Sequence, residues 1–153
     1  MTSPNAPKGK LTNDEVLAIL SAAVSRQDTE EALKYYHREM VLDVPAFGSV
    51  YRGTAEMRTF LNKFFAVFPD YTITADESWK KDDHTMVLGK LSMTVAGEYE
   101  GHKPNGRRVT VPVFMDLTFR DECTDYELFL FDIASICRAS GIPTDAFVRH
   151  IAG

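Results

Sequence analysis

From Val109 to Phe119 the sequence alternates without a break. Val109, Val111, Val113, Met115, Leu117 and Phe119 fall on one parity. Thr110, Pro112, Phe114, Asp116 and Thr118 fall on the other. A period of two marks a strand with one face against a core, so the odd-numbered residues are expected to point inward. The segment from 53 to 70 repeats differently. Met57, Phe60, Leu61, Phe64, Phe65 and Phe68 recur at helical spacing, and Pro69 stops the helix. Between them these two patterns demand a helix packed on a sheet.

The remaining elements follow in chain order. In LTNDEV, Thr12 caps a helix and Glu15 closes a capping box, with Val16, Leu17, Leu20, Ala23 and Val24 on one face. DTEEALKYYH starts a second helix at Asp28, and Tyr35 and Tyr36 lie near its end. MVLDVPAFG reads as a short strand broken by Pro45 and Gly48. After the third helix, YTITADESW, TMVLGKLSMTVAG, RRVTVPVFMDLTF and YELFLFD read as successive strands. A short helix then ends at Gly141 before Pro143. Helices first and a meandering sheet after them indicate an α+β fold. The expected architecture is a curved antiparallel sheet with helices packed on its concave face, leaving a cone-shaped cavity. The expected bounds are a disordered lead at 1–10, one domain at 11–143 and a tail at 144–153.

Composition narrows the function. The chain has 153 residues, 44% of them hydrophobic, enough for one core without metals or disulfides. Its net charge is −5 and no basic stripe is interleaved with aromatics, so neither nucleic acid nor an anionic membrane is an expected partner. Cys123 and Cys137 form no CxxC pair, and the first ten residues have no apolar core. Both features fit a cytoplasmic protein. His37, His84, His102 and His150 show no ligand spacing, so no metal is expected.

The stretch ELFLFD, Glu127–Asp132, carries the chemical question. If Arg120 pairs with Asp125 across an even loop, Tyr126, Leu128, Leu130 and Asp132 share the inward face. An odd register would turn Glu127 inward among the valines, at a desolvation cost. The even register is therefore preferred, and it ends an apolar stripe in Asp132 at the cavity wall. An aspartate between a strand and a helix is also a standard N-cap. Buried among Leu, Met and Val its pKa rises; as a cap its pKa falls.

Three motifs resemble one family. GEYEGHKPNGRRVTVP is similar to the G-x-F-x-G-x-x-P-T-G-R-x-V loop of SnoaL-like polyketide cyclases and ester cyclases. Asn105 stands here where that loop has threonine. YRGTAEMRTFLNKFFAVFPD resembles the family's helix ending in FPD, and FDIASICRASGIP its closing motif. The resemblance spans about Leu11 to Pro143. It implies the cystatin-like, nuclear-transport-factor-like fold shared with ketosteroid isomerase. It also implies that Asp132, which opens the closing motif, is the general acid/base of an intramolecular aldol closure.

The expected function is a cofactor-independent cyclase or isomerase of secondary metabolism, acting on a hydrophobic, carbonyl-rich small molecule. The alternatives are a water-activating hydrolase or dehydratase of the same fold, and a non-catalytic dimeric binding module. Asp132 is the expected catalyst. Tyr36, Asp43, Phe68, Trp79, Val113, Met115, Leu117 and Leu130 are the expected substrate-binding residues. Phe114, Phe129 and Phe131 are expected on the outer face of the sheet, where they would pack a homodimer.

Overall fold

The computed structural model describes residues 10–153, so nearly all of the expected N-terminal lead lies outside the described residues. The order of elements is α1 (Asn13–Ser25), α2 (Thr29–Leu33), β1 (Tyr36–Val44), a 3-10 turn (Pro45–Phe47), β2 (Ser49–Arg52) and α3 (Gly53–Val67). There follow β3 (Thr72–Lys81), β4 (His84–Thr94), β5 (Arg108–Arg120), β6 (Cys123–Phe131), α4 (Ile133–Ser140) and α5 (Thr144–Ala152). The six strands form one curved, open sheet in the order β2-β1-β6-β5-β4-β3. The fold is α+β, as expected. The sheet itself is mixed, because β1 runs parallel to β6 while every other pair is antiparallel.

Local sequence explains the element ends. Thr12 and Glu15 form the reciprocal capping box that starts α1, and the Asp28 side chain accepts from the Glu31 amide at the start of α2. α2 is shorter than the sequence suggests. Tyr36 opens β1 instead of closing the helix, because the strand pairs with β6 at Tyr36↔Thr124. Met57, Phe60, Leu61, Phe64 and Phe65 on α3 are buried against the sheet. On β5 the odd-numbered residues from Val109 to Leu117 are buried, as their alternation requires. Residues 144–153, read from sequence as a tail, contain α5, which puts Ala146, Phe147 and Ile151 into the core. Phe147 stacks on Phe68 with ring centroids 5.6 Å apart.

The β5–β6 hairpin decides which side chains face the concave side. Its turn is only Asp121–Glu122, with Arg120 paired to Cys123, and both turn residues have positive φ, 53° and 59°. That is the primed geometry that suits the twist of two antiparallel strands. Phe119 then pairs with Thr124 and Thr118 with Tyr126, leaving Asp125 as an unpaired extra residue. This bulge is held by Thr118 Oγ1, which donates to Asp125 at 2.6 Å. One extra residue reverses the parity of the strand beyond it. Glu127 therefore faces inward opposite Leu117, and Phe129 opposite Met115. Leu128 and Leu130 face outward opposite Asp116 and Phe114. The expected register is corrected: Arg120 pairs with Cys123, two residues from the expected Asp125, and beyond the bulge Leu117 pairs with Glu127, one residue from the expected Leu128.

Candidate functional site

A cavity of about 40 Å³ lies between the concave face of the sheet and the helices above it. α1 supplies Leu17, Leu20, Ser21 and Val24 as one wall, and α3 supplies Phe60, Leu61 and Phe64 as the roof. The floor is Met115 on β5 with Glu127 and Phe129 on β6. Tyr36, Tyr71 and Ile73 complete the lining. The lining is aliphatic and aromatic except for Ser21, the two phenols and one carboxyl group. Such a lining, with a few convergent polar groups, is what a small-molecule site requires.

Glu127 is the unusual residue. It is only 8% exposed, and among the described residues no group donates a hydrogen bond to its carboxylate. Burial alone pushes its pKa from 4.5 up to about 7. Water stabilises a carboxylate strongly and this cavity does not, so the protonated form gains. Burial likewise holds the Tyr36 and Tyr71 phenols well above their usual range, and the nearby Glu127 charge adds to the rise in both. Both phenols are therefore neutral donors near physiological pH. The three groups offer one exchangeable proton and two neutral phenols in apolar surroundings.

Asp132 occupies a different environment. It is exposed and caps α4, accepting from the Ser135 amide at 3.0 Å and from Ser135 Oγ at 2.6 Å. These two bonds lower its pKa, the reverse of the shift expected for a carboxylate at the cavity wall. Its expected place at the end of an inward stripe is corrected for the same reason as Leu130, which is 37% exposed on the outer face.

Of the expected binding residues, Tyr36 and Met115 line the cavity. Val113 and Leu117 point inward but are packed in the core beside it, and Phe68 is buried against Phe147. Asp43 pairs with Leu128 on the outer face, and Trp79, 45% exposed, pairs with Met86 on that face. Those two placements correct the expectation that they reach the cavity. Glu127 was visible in the sequence only as the costly alternative register. Tyr71 was legible only as the first residue of the strand-like YTITADESW, and the structure places it just ahead of β3. Among the described residues no three His, Cys, Asp or Glu side chains converge to hold a metal ion.

A family model described as the SnoaL-like domain matches residues 16–123. No curated protein matches the chain. Among solved structures, a protein of ketosteroid isomerase-like fold from Catenulispora acidiphila DSM 44928, in complex with trimethylamine, superposes with a TM-score of 0.76 at 16% identity. The match covers 88% of this chain and 98% of that one. A protein from Jannaschia sp. CCS1, described as a SnoaL-like polyketide cyclase, gives 0.74 at 17% identity, over 91% and 99% of the two chains. A protein from Shewanella denitrificans OS-217 with the same description gives 0.72 at 16% identity, over 82% and 94%. At these identities the likeness is one of fold.

Proposed function

Because the chain belongs to the SnoaL-like domain family, we propose that it is a cofactor-independent cyclase or isomerase in which Glu127 is the general acid/base. The observation that carries this reading is a carboxyl group more than nine-tenths buried, without a protein partner, facing an apolar cavity. A pKa of about 7 suits it to take and return a proton near neutrality. In the proposed step, ionised Glu127 removes a proton from a carbon next to a substrate carbonyl. The electron pair moves onto the carbonyl oxygen, where the Tyr36 and Tyr71 phenols donate hydrogen bonds to the enolate. The enolate carbon then attacks a second carbonyl, whose alkoxide takes the proton back from Glu127, or, in a conjugated dienolate, the γ-carbon takes that proton instead and the double bond migrates. The cavity of about 40 Å³ admits a compact reacting end. Pockets for drug-sized ligands have roughly 300–1,000 Å³, so a whole polycyclic substrate exceeds this cavity.

This reading moves the acid/base role from Asp132, which the family resemblance implies, to Glu127. It also ranks above water activation by paired carboxylates, because Glu127 is the only carboxyl group lining the cavity among the described residues. A binding module remains the second reading, and the trimethylamine held by the Catenulispora neighbour supports it. Exchange of α-protons for deuterium in compact ketones and β-keto esters, followed by NMR, tests catalysis without knowledge of the substrate. Glu127→Gln should slow protein-dependent exchange by about 10²–10⁴-fold. Equal exchange by the variant and the wild type would refute the assignment.

The proposal includes a homodimer through the outer face of the sheet. Leu88, Phe114 and Leu130 are direct cross-strand partners there, and Leu88 and Leu130 are 38% and 37% exposed. Phe129 and Phe131, expected on that face, instead pack inward, Phe131 edge-on to Phe47 at 5.5 Å. The apolar row survives with different members.

A further inference from the structure

We propose that the same cavity is a receptor for compact tertiary or quaternary alkylammonium ions, held by charge pairing with the Glu127 carboxylate and by the surrounding aromatic rings. This inference rests on the reading of Glu127 as the working group of the cavity, and it adds a class of ligand that a carbonyl-processing site does not require. Tyr36, Phe60, Phe64, Tyr71 and Phe129 all line the space that Glu127 faces. Four of these rings form a connected set around Phe64, whose centroid lies 5.3 Å from Phe60, 4.8 Å from Tyr71 and 6.1 Å from Phe129. Aromatic rings attract cations through their quadrupoles, most strongly where water is excluded. Among the described residues the lining contains no lysine or arginine. An ionised Glu127 is therefore a buried anion without a counter-ion, the arrangement that costs most to leave unpaired.

The class of cation follows from what else the cavity offers. A primary ammonium is a compact, strongly hydrated charge, and a lining that is mostly aliphatic and aromatic replaces little of that hydration. A bare metal ion needs several ligands, and none converge among the described residues. Alkyl groups on nitrogen remove donors, spread the charge and match the apolar walls. A site of about 40 Å³ also limits the ion to a compact one.

Binding of such an ion should be linked to pH. The titratable groups facing the cavity are Tyr36 on β1, Tyr71 ahead of β3 and Glu127 on β6. α1, α3 and β5 contribute none. Both phenols stay neutral through this range, so ionisation of Glu127 near pH 7 governs the site. Only the ionised fraction attracts the cation, so its apparent affinity should fall about tenfold from pH 8 to pH 6.

Calorimetric titration of the full chain with choline and with 3,3-dimethylbutan-1-ol, its uncharged isostere, tests this at constant ionic strength. Choline should bind at least about tenfold more tightly than the alcohol at pH 8, and only choline should weaken towards pH 6. Glu127→Gln, with its fold checked by circular dichroism, should lose the preference for choline. If that variant does not fold, the contrast in pH dependence within the wild type decides alone. Equal binding of the two compounds, no binding of choline, or a choline affinity independent of pH would overturn the proposal. Failure here leaves the deuterium-exchange test of Glu127 untouched. Conversely, choline binding with unchanged exchange in Glu127→Gln would keep the receptor and remove the acid/base role.

Discussion

Glu127 and Asp132 lie five positions apart in the sequence, yet their environments push them in opposite directions. Burial raises the Glu127 pKa from 4.5 to about 7, so between those values the folded protein keeps a proton that the unfolded chain has lost. Stability is therefore greatest below pH 4.5 with respect to this group and declines as pH rises to about 7. At about 1.36 kcal/mol per unit the loss is about 3 kcal/mol. Denaturant unfolding of Glu127→Gln should lack that decline and show a gain over wild type at pH 8 that is absent at pH 4. A parallel decline in both proteins would mean that Glu127 is solvated. Asp132 has the opposite sign. Its lowered pKa gives stability that is present above 3.8 and lost as pH falls through the folded value. Asp132→Ala should lower the melting temperature at neutral pH and Asp132→Asn should largely preserve it, because asparagine caps a helix about as well as aspartate.

At the scale of elements, two of the sheet's three register shifts bear on the concave surface. The one at Asp125 turns Glu127 inward. A second leaves Asp76 unpaired where β3 meets β4, beside the Ala75↔Gly89 pair. There the strands approach so closely that a Cβ on Gly89 would lie 2.0 Å from the Thr74 carbonyl oxygen and 3.2 Å from the Ala75 Cα. These are backbone atoms that cannot rotate away. Gly89→Ala should separate β3 from β4 and destabilise the fold by about 1–3 kcal/mol, the usual cost of overpacking. A wild-type urea midpoint in that variant would count against the close approach. The same bulges explain how far the sheet was legible. The alternation of β5 identified its buried face from sequence because no extra residue interrupts Val109–Leu117. YELFLFD has partly apolar residues on both parities and gave no such signal, so its face depended wholly on an assumed pairing.

For the whole molecule, the proposed homodimer rests on the outer face of the sheet, where Leu88, Leu130 and Trp79 are exposed. The row Leu88–Phe114–Leu130 crosses three adjacent strands, and Trp79 and Met86 extend the apolar surface towards the sheet edge. Contiguous exposed apolar surface of this kind marks an association site. Wild-type protein should sediment as a dimer at micromolar concentration. Replacing Leu88 and Leu130 together with lysine should give a monomer whose far-ultraviolet circular dichroism is unchanged. A wild-type monomer at that concentration, or a variant that remains dimeric, would show that this face is not the interface.

What the sequence determined by itself is whatever depends on neighbours a few positions apart. Thr12 with Glu15, Asp28, the Gly141 stop, the stripe of α3 and the odd face of β5 are all local, and the structure realises each of them. The family motifs added the fold, which the matching residues 16–123 bear out. The tertiary structure alone decided the site. Glu127 faces the cavity because a two-residue turn and one unpaired aspartate set its register against β5, and Tyr71 joins it from the short connection between α3 and β3. Strand register is a non-local quantity with a period of two, so a single extra residue exchanges the buried face for the exposed one. Desolvation argued against placing a carboxylate inside. The fold places it there nonetheless, offset by the surrounding hydrophobic packing and by the proton that Glu127 retains.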